Sequence, residues 1–588
     1  MKNFKRNRII VMKQSIFIYI MFCCILSTFP LLASENFVDV TKISGAGFRH
    51  LPPVFDKRLS HIMEMVSAGA SGGAIGDYNK DGWLDIFVNS PRLDTKNALL
   101  RNNGDLTFTD TLEKSGLGDI NNDGQVASMG IFFDYDGDSW QDLLVVRFGS
   151  PMLFKNNKDG TFTNVTKKAG IRKKVNALTA IAFDYDKDGD LDFYLGSYFR
   201  DMDMFDIRRK EKNILHDSWE VSRNGGSNVF YVNNGDGTFT DKTKQLGVED
   251  TGWTMALAHG DFDNDGWQDI YVANDYGTDI VFRNTGKGVF EDVSETSIGT
   301  DTKKGMNAEA GDFDNDGDLD IFVTNVTEEF LYECNMLWQN NGKGQFVDVS
   351  QELGVCDTGW GWAGKFFDYN NDGWQDLYVA NGFFTGKKDG DYLDVLLPAI
   401  WESGEDPSNP DVWPPLKGMG LAASEPNVLF TNIKGKFQRE SSSGLELAKD
   451  SRAILTADFD NDGFVDLYVT NNDDLTTLYR NQSKGGQWLQ VELIGRPPNT
   501  DAVGARIYAK YNGKTQMREV NIGNGFGGGS MTRQHFGFGD LRKLDELHIK
   551  WPDGTEQSYK DVELNRIVRL SQSDYGIQLT WEVNTNGH

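Results

Sequence analysis

Asp261, Asp263, Asp265 and Asp269 fall within nine residues, "DFDNDGWQD", with Gly266 between the third acid and the fourth. Carboxylates gathered this closely repel one another, and their pKa values rise unless a cation sits among them. Oxygen donors at positions 1, 3, 5 and 9 around a Gly at 6 make the wrap that a hard cation such as Ca²⁺ takes, with the carbonyl of position 7 as a further ligand. Mg²⁺ accepts an all-protein cage poorly, and a softer metal calls for His or Cys.

The pattern occurs seven times in the 588 residues. Its ligand positions are Asp77, Asn79, Asp81 and Asp85; Asp134, Asp136, Asp138 and Asp142; Asp184, Asp186, Asp188 and Asp192; the four named above; Asp312, Asp314, Asp316 and Asp320; Asp368, Asn370, Asp372 and Asp376; and Asp458, Asp460, Asp462 and Asp466. An Asp/Asn/Gly surface turn explains one such loop but not seven at the same place in a repeat. An EF-hand fails at position 12, where Val88, Val145, Leu195, Val272, Val323, Val379 and Val469 stand instead of a bidentate Glu. Asn at position 3 removes a charge from two loops, so binding is expected to be weaker there, and Ser139 replaces Gly in another, the loop that departs furthest from the turn the pattern needs.

Each loop needs elements that hold it. An apolar strand precedes it ("ALTAIAF", "RAILTA") and another follows ("DIFVNS", "DIYVAN", "DLYVTN"). A hairpin with an Asn/Gly turn comes next, then a strand ending in aromatic and Thr residues, as in "FYVNNGDGTFTDKT". The unit is therefore four short antiparallel strands. The starts lie 57, 50, 77, 51, 56 and 90 residues apart, which marks insertions at about 198–226 and 382–426.

Four-stranded units at this period suit a β-propeller. An orphan outer-strand motif, "NFVDVTKISGAGF", precedes the first loop, whereas the seventh loop lacks its own. The expected fold is thus all-β: a seven-bladed β-propeller over 35–485 whose N-terminal strand closes the last blade and leaves no sheet edge, followed by a small β-sandwich or barrel over 486–588.

"DFDNDGWQDIYV" with "NNGDGTFTD" resembles the FG-GAP and VCBS-type repeats of integrin α-subunit propellers and of the cartilage acidic protein family, across residues 36–485. The resemblance implies structural Ca²⁺ in the loops, at up to seven sites. "DAVGARI", "QMREVNIGNGF", "HFGFGD" and "IKWPDGTEQ" resemble the ASPIC/UnbV domain, although "GGGSMTRQ" replaces the usual Ser-rich run. In that segment Arg506, Arg518, Glu519 and His535 are the candidates for a polar site, set against a reading in which His535 packs beside Phe536 and the charges lie on a solvated face. "NGFGGGS" lacks the Lys and helix of a phosphate loop.

A formal charge of −28 makes cations the natural partners and excludes nucleic acid as an expected one. Residues 1–34 read as an export signal: Lys2, Lys5, Arg6 and Arg8, then the apolar run, then Ala33 and Ser34 before Glu35. No later segment is apolar enough to span a bilayer, so the mature chain is expected to be periplasmic, cell-surface or secreted. Its two cysteines, Cys334 and Cys356, are compatible with one disulfide.

The leading functional expectation is a secreted, calcium-binding adhesion or ligand-binding module for a glycan, matrix component or protein. Within 398–420, Trp401, Trp413 and Pro414 read either as binding anchors or as a lid packed on the ring. The alternative is an extracellular enzyme acting on a polysaccharide or small molecule through the propeller mouth, with Asp201, Asp203, Asp206, His216 and Glu402 as the available groups. No catalytic pair stands out among them.

Overall fold

The structure, a computed structural model, describes residues 36–572 apart from 330, 389 and 530, together with the strand Leu579–Glu582. The expected export signal lies outside the described residues. Among the described residues, no helix is long and apolar enough to cross a membrane.

The chain is all-β in its regular elements. Among the described residues, helices are single turns apart from Leu393–Ser403 in the second insertion. The described repeat region forms five four-stranded sheets, one eight-stranded sheet built from two such groups, and a two-stranded ribbon of Thr327–Glu328 with Leu331–Tyr332. In the unit around Asp269 the order is Thr254–Gly260, Asp269–Asn274, Ile280–Asn284 and Phe290–Asp292, all antiparallel. The second strand is buried along its whole length, as expected for a strand covered on both faces, and its apolar side chains pack against the neighbouring sheets. The outermost strand exposes two of its three residues.

The unit that ends at Thr477–Asn481 takes its fourth strand from the start of the chain. Phe37 faces Asn481, and Asp39 faces Tyr479. Phe37 is fully buried beside Phe367 and Tyr369 of the preceding unit, so this edge is covered as well as paired. Cys334 and Cys356 form a disulfide.

From Trp488 the sheet pattern changes. Trp488–Ile494 pairs antiparallel with Gln534–Gly537 and parallel with Arg566–Ser571. A second sheet runs Lys514–Glu519, Arg506–Tyr511, Lys543–Lys550, Glu556–Glu563. Leu489, Val491, Ile507, Leu547, Ile549 and Trp551 fill the core of this segment. The hairpin at Asn512 and Gly513 has positive φ at both residues, as a two-residue primed turn requires.

Candidate metal centres and the surfaces around them

The acidic loops share one hydrogen-bonded frame. The backbone N–H of position 7 donates to the position 5 carboxylate in all seven, at 2.9–3.1 Å. In six of them the position 6 N–H donates to the position 1 carboxylate at 2.6–3.0 Å. Positions 4 and 6 both take positive φ. Ser139 adopts φ 69 where the other six loops have Gly, so it keeps the loop shape at some conformational cost. Asn79 and Asn370 place their side-chain oxygens as the position 3 Asp residues do, each accepting from the position 5 N–H at 3.0 Å.

These frames bring the predicted acids together. In the loops from Asp134, Asp184, Asp261, Asp312 and Asp458, three carboxylates each offer an oxygen within 4.8 Å of the others. Several of those oxygens are buried without a hydrogen-bond partner: Asp136 Oδ1, Asp184 Oδ1, Asp186 Oδ1, Asp261 Oδ1, Asp312 Oδ2 and Asp460 Oδ1. Burial pushes Asp184 up to about 7, Asp261 to about 6, and Asp85 and Asp142 to about 9. Buried carboxylate oxygens without hydrogen-bond partners, gathered in one loop, are a donor set suited to Ca²⁺, and the residues present fit that ion.

Two third-strand cations reach into the clusters. Lys155 contacts Asp136 and lies 2.8 Å from Asp138, in the loop that carries Ser139. Arg480 lies 2.8 Å from Asp460 and 3.2 Å from Asp462.

Position 9 has a further task. One oxygen of each of these Asp residues accepts the backbone N–H of an Asn on the third strand, at 2.7–2.9 Å. The side chains of those residues, Asn102, Asn156, Asn233, Asn284, Asn340, Asn432 and Asn481, then donate at 2.8 Å to the position 2 carbonyl of the previous acidic loop. Asn102 reaches Phe459 of the seventh loop, so the series of bonds returns to its start. Sequence reasoning missed these residues. Their signal is the Asn that ends "ALLRN", "MLFKN", "VFYVN", "IVFRN", "MLWQN", "VLFTN" and "TLYRN".

The C-terminal segment presses on the same loops. Arg506 pairs with the buried Glu519 at 2.6 Å and donates to the Asp261 carbonyl. Arg518 is buried within the electrostatic reach of Asp312 and Asp368, and His535 bonds Asn371 at 2.7 Å. Gln490 donates to Asp458 at 2.6 Å. These four nominated residues therefore occupy a buried contact with the acidic loops, not a solvated face. "NIGNGFGGG" threads among the first strands of the units: Gly525 N–H donates to Leu257 O, Lys365 to Asn524 O, Phe526 N–H to Asn307 and Gly73 N–H to Gly527 O. A Cβ at Gly523 would lie 2.1 Å from Ala180 O, so close approach explains this glycine without a phosphate.

At the other end of the strands, the two insertions meet around a chamber of about 60 Å³. Trp413 is buried there, while Trp401 on the insertion helix is 86% exposed. Pro414 O accepts the Tyr392 hydroxyl. The segment is thus part lid and part exposed surface. Asp201, Asp203 and Asp206 line a separate cleft, Glu402 is exposed, and His216 faces the chamber; the five are not assembled into one acid–base site.

Comparison with known proteins follows the same division. The family model described as ASPIC and UnbV matches residues 495–576, and the FG-GAP-like repeat model matches 134–195, 220–272, 261–323 and 332–379. Cartilage acidic protein 1 of Xenopus tropicalis is 22% identical over 539 residues, 85% of this chain and 73% of that protein. The Mus musculus protein of the same name is 30% identical over 167 residues, 27% of this chain and 25% of that protein. A solved structure of an Agrocybe aegerita lectin that recognises non-reducing terminal N-acetylglucosamine covers 69% of this chain and 86% of its own, with 16% identity and a TM-score of 0.36. At that score the likeness carries no argument.

Proposed function

We propose, from the premise that this chain joins FG-GAP-like repeats to an ASPIC and UnbV domain, that it is an exported, calcium-stabilised ligand-binding or adhesion module. The repeats form a seven-bladed propeller, and the C-terminal domain caps its acidic-loop end. Each loop holds Ca²⁺ through its residues at positions 1, 3, 5 and 9, and the ions fix the strand ends from which the other face is built.

The observation that carries the reading is the repetition of one loop frame with orphaned carboxylate oxygens in clusters of three. Seven unrelated surface turns would not share it. Three features support ring closure: the pairing of Phe37–Asp39 with Thr477–Asn481, the cyclic Asn-to-carbonyl bonds, and the contact of Gly73–Gly76 with Ser451–Ala457. An extracellular setting is supported by the disulfide and by the apolar, basic-led start of the sequence.

Calcium uptake tests the proposal. Equilibrium dialysis at neutral pH is expected to give between five and seven Ca²⁺ per chain, with Mg²⁺ failing to displace them at equal concentration. Because Lys155 contacts the Asp134 loop, Lys155→Met is expected to tighten one site. Fewer than two ions per chain would end the calcium reading.

A further inference from the structure

His216 comes from the first insertion, is 3% exposed, and makes no well-formed hydrogen bond from either ring nitrogen, the Ser218 backbone being the polar group beside it. Burial and the nearby Lys304 lower its pKa to about 3, so the ring is neutral and carries one donor and one acceptor. Leaving such groups without good partners in a protein interior is costly. The ring is held in place by stacking on Tyr276, with centroids 3.6 Å apart, and by edge contacts with Trp219, Trp253 and Trp413. It lines the chamber between the insertions.

The rest of the chamber defines what His216 meets. Trp253, Trp360, Trp362 and Phe383 supply flat apolar walls, and Asp275, bonded to the Tyr198 hydroxyl at 2.6 Å, supplies a second polar edge. The charges nearby are mixed. Arg452 stacks 4.1 Å from Trp362, and Lys304 lies 5.4 Å from the Tyr276 ring, against Asp275 within the wall. An anion or a cation would therefore meet a like charge as well as an opposite one. A neutral group that both donates and accepts, on a body with apolar C–H faces, satisfies the imidazole and the indoles together.

We propose that this chamber binds the edge of a saccharide, with one hydroxyl exchanging hydrogen bonds with His216 and the C–H group that bears it entering between the surrounding indoles. The inference rests on the ligand-binding reading above and names its ligand class. At about 60 Å³ the chamber holds a group the size of about two waters, so only part of a sugar ring enters. The remainder lies at the mouth beside Met65 and Tyr276, which are partly exposed.

The test is a titration of the full mature chain in calcium, followed by tryptophan fluorescence and calorimetry. Methyl glycosides of glucose, galactose, mannose and N-acetylglucosamine form one arm, and oligosaccharides ending in the same sugars form the other. Binding in both arms assigns a monosaccharide site, and binding in the second alone assigns a glycan terminus. His216→Phe keeps the ring stack but loses both nitrogens, and is expected to weaken binding at least about tenfold with the melting temperature held. His216→Asn, which restores a donor and an acceptor, serves as the companion if His216→Phe fails to fold, and should retain more affinity. No saturable binding in either arm, or binding that both variants leave unchanged, overturns the proposal. Calcium uptake in the same samples separates the two readings: ions bound without a saccharide leave the calcium module standing, and neither bound removes both.

Discussion

Chelation is the perturbation with the largest expected effect on this molecule. A site filled only in the folded chain adds RT ln(1 + [L]/Kd) to stability. Extracellular modules bind Ca²⁺ with Kd of about 10⁻⁴ to 10⁻³ M. At ~5 mM calcium each site then contributes about 1 to 2.3 kcal/mol, and the five clusters of three aspartates contribute about 5 to 12 kcal/mol. Unfolding entropy of about 2.1 cal/mol/K per residue gives about 1.1 kcal/mol per degree for a body of this length. Exchanging calcium for a chelator at pH 7.5 should therefore lower the melting midpoint by about 5 to 10 °C. Differential scanning calorimetry of the chain from residue 35 reads the shift, and returning calcium, but not magnesium, should reverse it. A midpoint that stays within about 1 °C refutes the reasoning, because ligands that leave the melt unchanged contribute no folding free energy.

Three further outcomes follow from the same geometry. Burial raises Asp85 and Asp142 to about 9 and Asp184 to about 7 from 3.8. A raised folded-state pKa means the folded chain holds the proton more tightly, so calcium-free stability is greater at pH 5.5 and is lost as pH rises through these values. The gap between calcium-loaded and chelated midpoints should therefore widen from pH 5.5 to 8. Asn340→Ala removes bonds to Phe262 O and Leu319 O and leaves both carbonyls buried; a loss of about 2–3 kcal/mol is expected from denaturant midpoints, and a change below about 0.5 kcal/mol would contradict the role assigned to the Asn series. Arg506→Met strips Glu519 of its buried partner, at a cost of about 3–5 kcal/mol, and hydrogen exchange should report faster opening in 519–527 than in the distant disulfide-linked segment.

The acidic loops were legible because their ligands are local: Asp261 to Asp269 lie on one turn, and spacing alone orders them. The insertions were legible as breaks in the period. The third-strand Asn residues were present in the sequence with the same regularity, yet they read as hairpin turn residues because the carbonyl each one meets belongs to the preceding unit, 78 residues back from Asn340 at Phe262. Lys155 and Arg480 were hidden for a similar reason, since the acids they reach lie in the loop before the preceding strand. Arg506, Arg518 and His535 were singled out as polar candidates, but their surroundings depend on two segments meeting, which no single stretch encodes. His216 appeared only as one of several groups in an insertion; its unsatisfied nitrogens exist only once Tyr276 and three indoles enclose it.

The pairing of Phe37–Asp39 with Thr477–Asn481 also orders events during synthesis. The first of the described strands is made early, but its hydrogen-bonding partner does not exist until residue 481 has been made. Until then the unit containing Asp466 lacks its outer strand, and the buried face of Phe37 has no sheet to enter. Loop closure over so long a span is entropically late. The first described strand is thus the last to be secured, and a truncated or stalled chain carries two unmatched edges at once, ready to find each other on different molecules.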